Sequence, residues 1–367
     1  MDAKMSLQNT SLIKAVKMLS KTALIVVSLL MFSSVNATDS KLGQAAYDAK
    51  DYQTAFQQWS PLAEQGNALA QYNLGKLHYN AQGVSQDYQQ VIKLWTLAAE
   101  QGHAIAQYDL GKLYYNAQGV SQDYQQVIKL WTLAGEQGIT KAQFNLGYIY
   151  YYAVNVTQDF KQALKWWTMG AEQGLARAQH GLGLMHYDGQ GVAQDYKQAH
   201  QWYSLAAEQG LASAQYNLGL MYFDGKGVTQ DYKQTLKWYK LAAEQEDTSA
   251  QFNLAMLYYE GEGVTQDYKR AFEWHSLAAE QGDADAQYTL GLMYFNGDGV
   301  TKDYKQAVKW YTLAAEQGDA DAQFNLGLMY DTGEAIPQNN KQAAKWYTLA
   351  AAQGDAMAKK ALRSLKH

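Results

Sequence analysis

The chain of 367 residues is 47% hydrophobic and 18% charged, with 29 Tyr, 10 Trp and 9 Phe against two Pro, which excludes a disordered or collagenous polypeptide. It has no cysteine, which removes disulfide frameworks, thiolate metal sites and a cysteine nucleophile. The formal net charge of −5 includes a lysine-bearing N-terminus, so the remainder is more acidic still, and nucleic acid is not an expected partner.

Residues 1–37 have the layout of a secretory signal peptide. Lys4, Lys14, Lys17 and Lys21 precede an uncharged apolar run from Thr22 to Phe32, and Val35 and Ala37 occupy the small-residue positions of a cleavage site after Ala37. The run is shorter than the roughly 20 residues a bilayer span needs. The expectation is export to the bacterial periplasm or the medium, without stable membrane insertion once the leader is removed; a retained anchor is the alternative. Met18 begins a leader of more usual length and is a second candidate start.

From Ala70 the sequence superimposes on itself at a shift of 36, with Ala at 70, 106, 142, 178, 214, 250, 286 and 322 and again at 358. Gln follows each of the eight repeat-opening alanines, Leu lies four residues on, and a near-invariant Glu-Gln-Gly closes each unit. Eight full repeats therefore fill residues 70–357. Residues 38–69 read as an N-terminal half-repeat cap and residues 358–367 as a C-terminal capping helix. The unit is a helix followed by a helix.

Residues 286–321 display every signal. The spacing predicts a helix over Ala286–Asn296, broken by Gly297-Asp298-Gly299-Val300. Asp303 with Gln306 three residues on is an N-terminal capping pattern, the second helix runs to about Gln317, Gly318 suits the left-handed end, and Asp319 can cap the next helix. The Gly at the sixth position (Gly75, Gly111, Gly147, Gly183, Gly219, Gly291, Gly327, with Ala255 the exception) costs about 1 kcal/mol inside a helix. Close approach of a neighbouring helix backbone beside the small Ala286 and Ala314, with Trp310 packed nearby, is the expected compensation. Glu246 stands where the other boundaries have Gly, and Ala153, Asn155 and the Ala335-Ile336-Pro337 segment depart from the usual inter-helix turn.

The patterns A-Q-x-x-L-G-x-x-Y, G-x-G-V-x-x-D-Y and W-Y-x-L-A-A-E-Q-G resemble the SEL-one-like repeats, relatives of the tetratricopeptide repeats lengthened by two residues between the helices. The resemblance covers about residues 42–367. It implies an all-α, right-handed α-solenoid acting as a monomeric adaptor or partner-binding scaffold, frequently in bacterial envelopes.

On the first helix of each unit, positions three, seven, ten and eleven share a face, and analogy with the tetratricopeptide repeats makes that face the concave one. Tyr108, Phe144, Tyr148, Tyr187, Tyr216, Leu220, Phe223, Phe252 and Tyr288 are accordingly the candidate contacts for a protein or peptide partner, tyrosine giving large contact area at low entropy cost. Core packing by tight stacking is the competing reading of the same residues, and carbohydrate or peptidoglycan binding cannot be separated from peptide binding on sequence.

No catalytic, metal or cofactor site is expected. His180 and His186 are six apart and His200 lies on the next helix, a poor ligand spacing that favours aromatic packing. Asp331-Thr332-Gly333 spells an aspartic-protease triplet once, where two carboxylates are needed. The Gly-x-Gly-Val turns lack the Lys-Ser/Thr of a phosphate loop. Some proteins similar to the family have been labelled β-lactamases, but the one S-x-x-K is Ser11 to Lys14, within the leader, and the S-D-N and K-T-G elements are missing. A β-lactamase-like hydrolase is kept as the alternative to a scaffold.

Overall fold

Each unit of the sequence writes its own helix ends. Before the second helix an Asp accepts from the first free amides: Asp231 Oδ1 takes Lys233 N at 2.9 Å and Gln234 N at 3.1 Å, and Asp303 does the same for Lys305 and Gln306. Before the first helix Asp283 and Asp319 cap Ala286 and Ala322, and Gly318 between them has φ +102°. In the computed structural model, which describes residues 40–333 and 336–365, these signals delimit nineteen helices and no strand among the described residues. The leader, including Met18 and Ser11, and Ala335 lie outside the described residues.

The chain divides into two compact units between Trp166 and Trp167, inside one helix. The first holds α1 (40–48), α2 (Tyr52–Glu64), α3 (Ala68–Asn80), α4 (Tyr88–Glu100), α5 (Ala104–Asn116), α6 (Tyr124–Glu136), α7 (Thr140–Tyr152) and the start of α8 (Phe160–Glu172). The second holds the rest of α8, then α9 (Ala176–Asp188), α10 (Tyr196–Glu208), α11 (Ala212–Asp224), α12 (Tyr232–Ala243), α13 (Thr248–Glu260) and α14 (Tyr268–Glu280). It ends with α15 (Ala284–Asn296), α16 (Tyr304–Glu316), α17 (Ala320–Thr332), α18 (Asn340–Ala352) and α19 (Ala356–Ser364). Within each unit, consecutive helices pack as pairs and each pair on the next, the arrangement of an α-solenoid with 36-residue repeats.

The segment 38–69, expected as half a repeat, contains a whole helix pair, α1 and α2. Gly43 faces the Trp59 indole as Gly75 faces Trp95, but the connection is four residues shorter, which hides the pair from a search at a shift of 36.

The helix glycines are explained by rings rather than by a neighbouring backbone. A Cβ on Gly219 would lie 2.6 Å from Cδ1 of Tyr239, and Gly291 and Gly327 face Tyr311 and Tyr347 in the same way. For Gly219, Gly291 and Gly327 the ring comes from the second helix of the same pair, whereas Gly181 faces Trp167 of the preceding pair; the residue before the ring packs the other way. Trp238 joins the buried cluster of Ala206, Leu218 and Met221, whereas Tyr239 joins that of Ala243, Ala250 and Leu254. Trp310, expected beside Ala286 and Ala314, packs with Ala286 and Leu290 of its own pair and with Ala278 and Ala279 of the preceding pair, while Ala314 joins the next cluster. The adjacent aromatics Trp238 and Tyr239 thus bind one repeat to two different layers of core.

The Gln at position two is buried and does specific work. Gln71 Nε2 donates to the Ala63 carbonyl at 3.1 Å, at the end of the preceding pair, and its Oε1 accepts from Gln101 Nε2 at 2.8 Å. The same two bonds recur at Gln107, Gln215, Gln251, Gln287 and Gln323. A buried amide so satisfied stabilises the seam, and left unpaired it would cost about 1–3 kcal/mol.

The inter-helix turns tolerate non-Gly residues at left-handed positions. Ala81, Ala117 and Ala153 close α3, α5 and α7 with φ of 54–55°, and Asn155 follows at 53° where Gly83 and Gly119 stand in the earlier turns. The departure noted at Ala153 therefore extends to the two preceding repeats. Glu246 has φ +65°, the left-handed strain its sequence position predicts.

Candidate interaction surface

Position three of the first helix is tied down on both sides. In the first unit the Tyr72 ring stacks on Trp95 at 5.8 Å, its hydroxyl donates to Asp109 Oδ2 at 2.9 Å, and burial together with that carboxylate raises its pKa. In the second unit Tyr216 stacks on Tyr239 at 5.7 Å and accepts from Asn253 at 3.2 Å, while Tyr288 accepts from Asn325 at 3.3 Å. Burial is the main cause of the raised pKa at Tyr108, Tyr216 and Tyr288. The ring at position ten meets the first residue of the second helix edge-on, as in Tyr187 with Tyr196 and Phe223 with Tyr232.

Of the nine candidate contacts, Tyr108, Phe144, Tyr187, Tyr216, Leu220, Phe223, Phe252 and Tyr288 are half-buried and Tyr148 is exposed, at 41%. They are neither core nor free. Tyr108, Phe144 and Tyr148 come together in the first unit, where with Lys112, Tyr115 and Trp131 they line a 370 Å³ pocket. Tyr216, Leu220 and Phe223 sit together against the core cluster of Leu254 and Leu257 in the second unit. Phe252 and Tyr288 pack against the clusters of the following pairs, and the Tyr187 hydroxyl accepts from the Lys226 ammonium at 2.9 Å, which also meets Asp224.

Tyr152, at position eleven of the same face, is 50% exposed, its ring centre 4.7 Å from that of Tyr148. Sequence reasoning missed one feature of this surface. The residue at position four, Asn253 or Asp109, supplies the bond to the preceding tyrosine, a pairing between residues 37 apart that no local pattern exposes.

The histidines do not converge. The His180 ring lies 5.5 Å from Tyr203 and its Nε2 is 2.9 Å from Asn217 Nδ2; His200 Nε2 is 3.2 Å from the Tyr222 hydroxyl. Among the described residues no group of three or more His, Asp or Glu is placed to hold a metal ion. Asp331 accepts from the Tyr347 hydroxyl at 3.3 Å, and Gly333 ends α17 with φ +66°. Among the described residues no helix is long and apolar enough to cross a membrane.

The Sel1 repeat matches eight consecutive segments, 68–103, 104–139, 140–175, 176–211, 212–247, 248–283, 284–319 and 320–355. The chain belongs to the Sel1 repeat family. A solved protective antigen, c5321, present in uropathogenic Escherichia coli strains and displaying an SLR fold, is similar at 39% identity and a TM-score of 0.78, over 84% of this chain and 67% of that one. A Sel1 repeat protein from Oxalobacter formigenes is similar at 35% identity and a TM-score of 0.69, over 84% of this chain and 90% of its own. No curated protein matches the chain. Sel1 repeat proteins are in general scaffolds for protein–protein interaction.

Proposed function

We propose that this Sel1 repeat protein is an exported, monomeric scaffold without a catalytic centre, and that the aromatic stripe on its first helices holds a segment of a protein partner. The observation that carries the reading is the meeting of Tyr108, Phe144 and Tyr148 at one pocket, with Tyr148 and Tyr152 left exposed among otherwise packed rings. Large amphipathic rings that keep accessible area while fixed by their neighbours are good anchors, because little side-chain freedom is lost on binding. The family's general role as interaction scaffolds points the same way. The face is the concave one in the tetratricopeptide analogy, and export to the periplasm or medium rests on the leader.

A photo-crosslinking residue placed at Tyr148, with one at the exposed Lys129 of α6 as the control, tests the assignment in cells. A discrete crosslinked partner at position 148 and none at 129 is expected. The same product from both positions, or only from 129, overturns the surface assignment.

A further inference from the structure

The stripe of the first unit carries positive charge at position seven, which the second unit's stripe lacks. At position seven stand Lys76 and Lys112; in the second unit the same position is Leu184, Leu220, Met256, Leu292 and Leu328. Both lysines lie beside the same tyrosine and tryptophan positions of their almost identical repeats, which differ at Asn73 and Asp109. Tyr72, Lys76, Tyr79, Asn80 and Trp95 line a 180 Å³ pocket into which Asp109 and Lys112 of the next repeat also reach, and Tyr108, Lys112, Tyr115, Asn116 and Trp131 line the 370 Å³ pocket one repeat on.

The ammonium groups are held over rings and are only partly neutralised. Lys76 Nζ lies 4.9 Å from the Tyr47 ring centre and 5.8 Å from that of Tyr72, and it makes no ion pair among the described residues. Lys112 Nζ lies 5.8 Å from the Tyr108 ring centre and 3.6 Å from Asp109, whose other oxygen accepts from Tyr72. Lys112 is the one charged residue lining the larger pocket. By contrast, the pocket of Leu292, Phe295, Tyr311, Asn325 and Leu328 in the second unit has no charged lining residue.

We infer that the first unit binds an extended acidic peptide segment, one carboxylate entering each of the two lysine pockets. The inference rests on the stripe being the binding surface. Two ammonium groups stand against the single carboxylate of Asp109, which is already held by Lys112 and Tyr72, so the two pockets keep a net positive charge that, with amide donors at Asn80 and Asn116, is complementary to added carboxylates. The Tyr72–Asp109 bond sets α3 beside α5, helices in contact lie roughly 8–10 Å apart, and an extended chain of the polyproline II type rises about 3.1 Å per residue with three residues per turn, so side chains three residues apart share one face at about the spacing of the pockets. The motif is an acid, two intervening residues and a second acid. Free acidic side chains on an extended segment satisfy it; a compact anion fills one pocket only.

The test is selection of a displayed random-peptide library on the full chain and on the Lys76→Gln/Lys112→Gln variant. Enrichment of paired Asp or Glu at the three-residue spacing is expected on the wild-type chain and its loss on the variant. A synthetic selected peptide should bind the variant about tenfold more weakly, the size expected of two partly exposed ion pairs, with Lys76→Arg/Lys112→Arg retaining binding. Replacing the two peptide acids by Gln should weaken binding to the wild-type chain equally, a measurement independent of any protein variant. Peptides that lose binding on Tyr148→Ala but show no acid enrichment overturn this inference and leave the stripe reading standing. Failure to recover any peptide sensitive to Tyr148→Ala overturns both.

Discussion

The Tyr216 hydroxyl accepts a hydrogen bond from Asn253, 3.2 Å away on the first helix of the next repeat. The side chain that offers its face to a partner is therefore also a rung between repeats. Tyr216→Phe keeps the ring on Tyr239 and removes only the rung, so it should cost about 0.5–1.5 kcal/mol. Tyr216→Ala removes both and should cost roughly 2–4 kcal/mol, below the range for a fully buried aromatic because the ring is half-buried. Urea unfolding of the two variants checks the order; equal losses would mean that the ring contributes nothing to packing.

Gly219→Ala sets helix propensity against space. The substitution favours the helix by about 1 kcal/mol, but its Cβ would meet the buried Tyr239 ring at 2.6 Å, and overpacking of a filled core costs about 1–3 kcal/mol or more. A lowered urea midpoint is expected. Ala255→Gly, at the equivalent, fully buried position, should lower it too, by about 1 kcal/mol through propensity and further through the lost burial of the methyl. A raised midpoint in Gly219→Ala would show that the ring moves aside.

Glu246 has φ +65°, whereas a Cβ at the matching Gly210 or Gly282 would meet nothing within 4 Å. The cost at this boundary is conformational, not steric crowding. Glu246→Gly should stabilise the chain by up to about 1 kcal/mol, read as a higher melting temperature. A fall of several degrees would show that the Glu246 side chain carries a contact.

His275 is fully buried with neither ring nitrogen bonded, its ring edge-on to Phe252 at 5.4 Å, and burial lowers its pKa to about 4. His180 is lowered to about 4 by burial as well. Both are neutral in the fold and bind a proton on unfolding below about pH 6.5, so the unfolded state holds more protons and stability falls as pH drops from about 6.5 towards 4. Melting at neutral pH and near pH 4.5 should show this loss, and His275→Phe should make it smaller. An unchanged pH dependence in that variant would place the acid sensitivity elsewhere.

Helix number, caps and boundaries from residue 70 onward were legible because they are written locally and eight times, as in Asp303 before Tyr304 and Gly318 before Asp319. What spans two helices was not. The Gly219–Tyr239 contact joins residues 20 apart, and pattern alone assigned the neighbour wrongly to a helix backbone. The α1–α2 pair was obscured by its shortened turn at Lys50, which breaks the 36-residue register. At the surface, position seven, ten or three predicts which side of a helix a residue faces, but the half-buried state of Tyr216 depends on Tyr239 and Asn253, one from its own pair and one from the next.

The glutamine joint has a direction. Gln215 reaches back to the carbonyl of Ala207 and is held from its own pair by Gln245, so a repeat asks something of the one before it and nothing through this joint of the one after. Copies can therefore be appended or excised in whole 36-residue steps without inventing a new connection, because every seam presents the same acceptor. The two nearly identical repeats around Tyr72 and Tyr108 are what such interchangeability permits: copy number is free to change while each copy keeps the lysine of position seven, at Lys76 and Lys112.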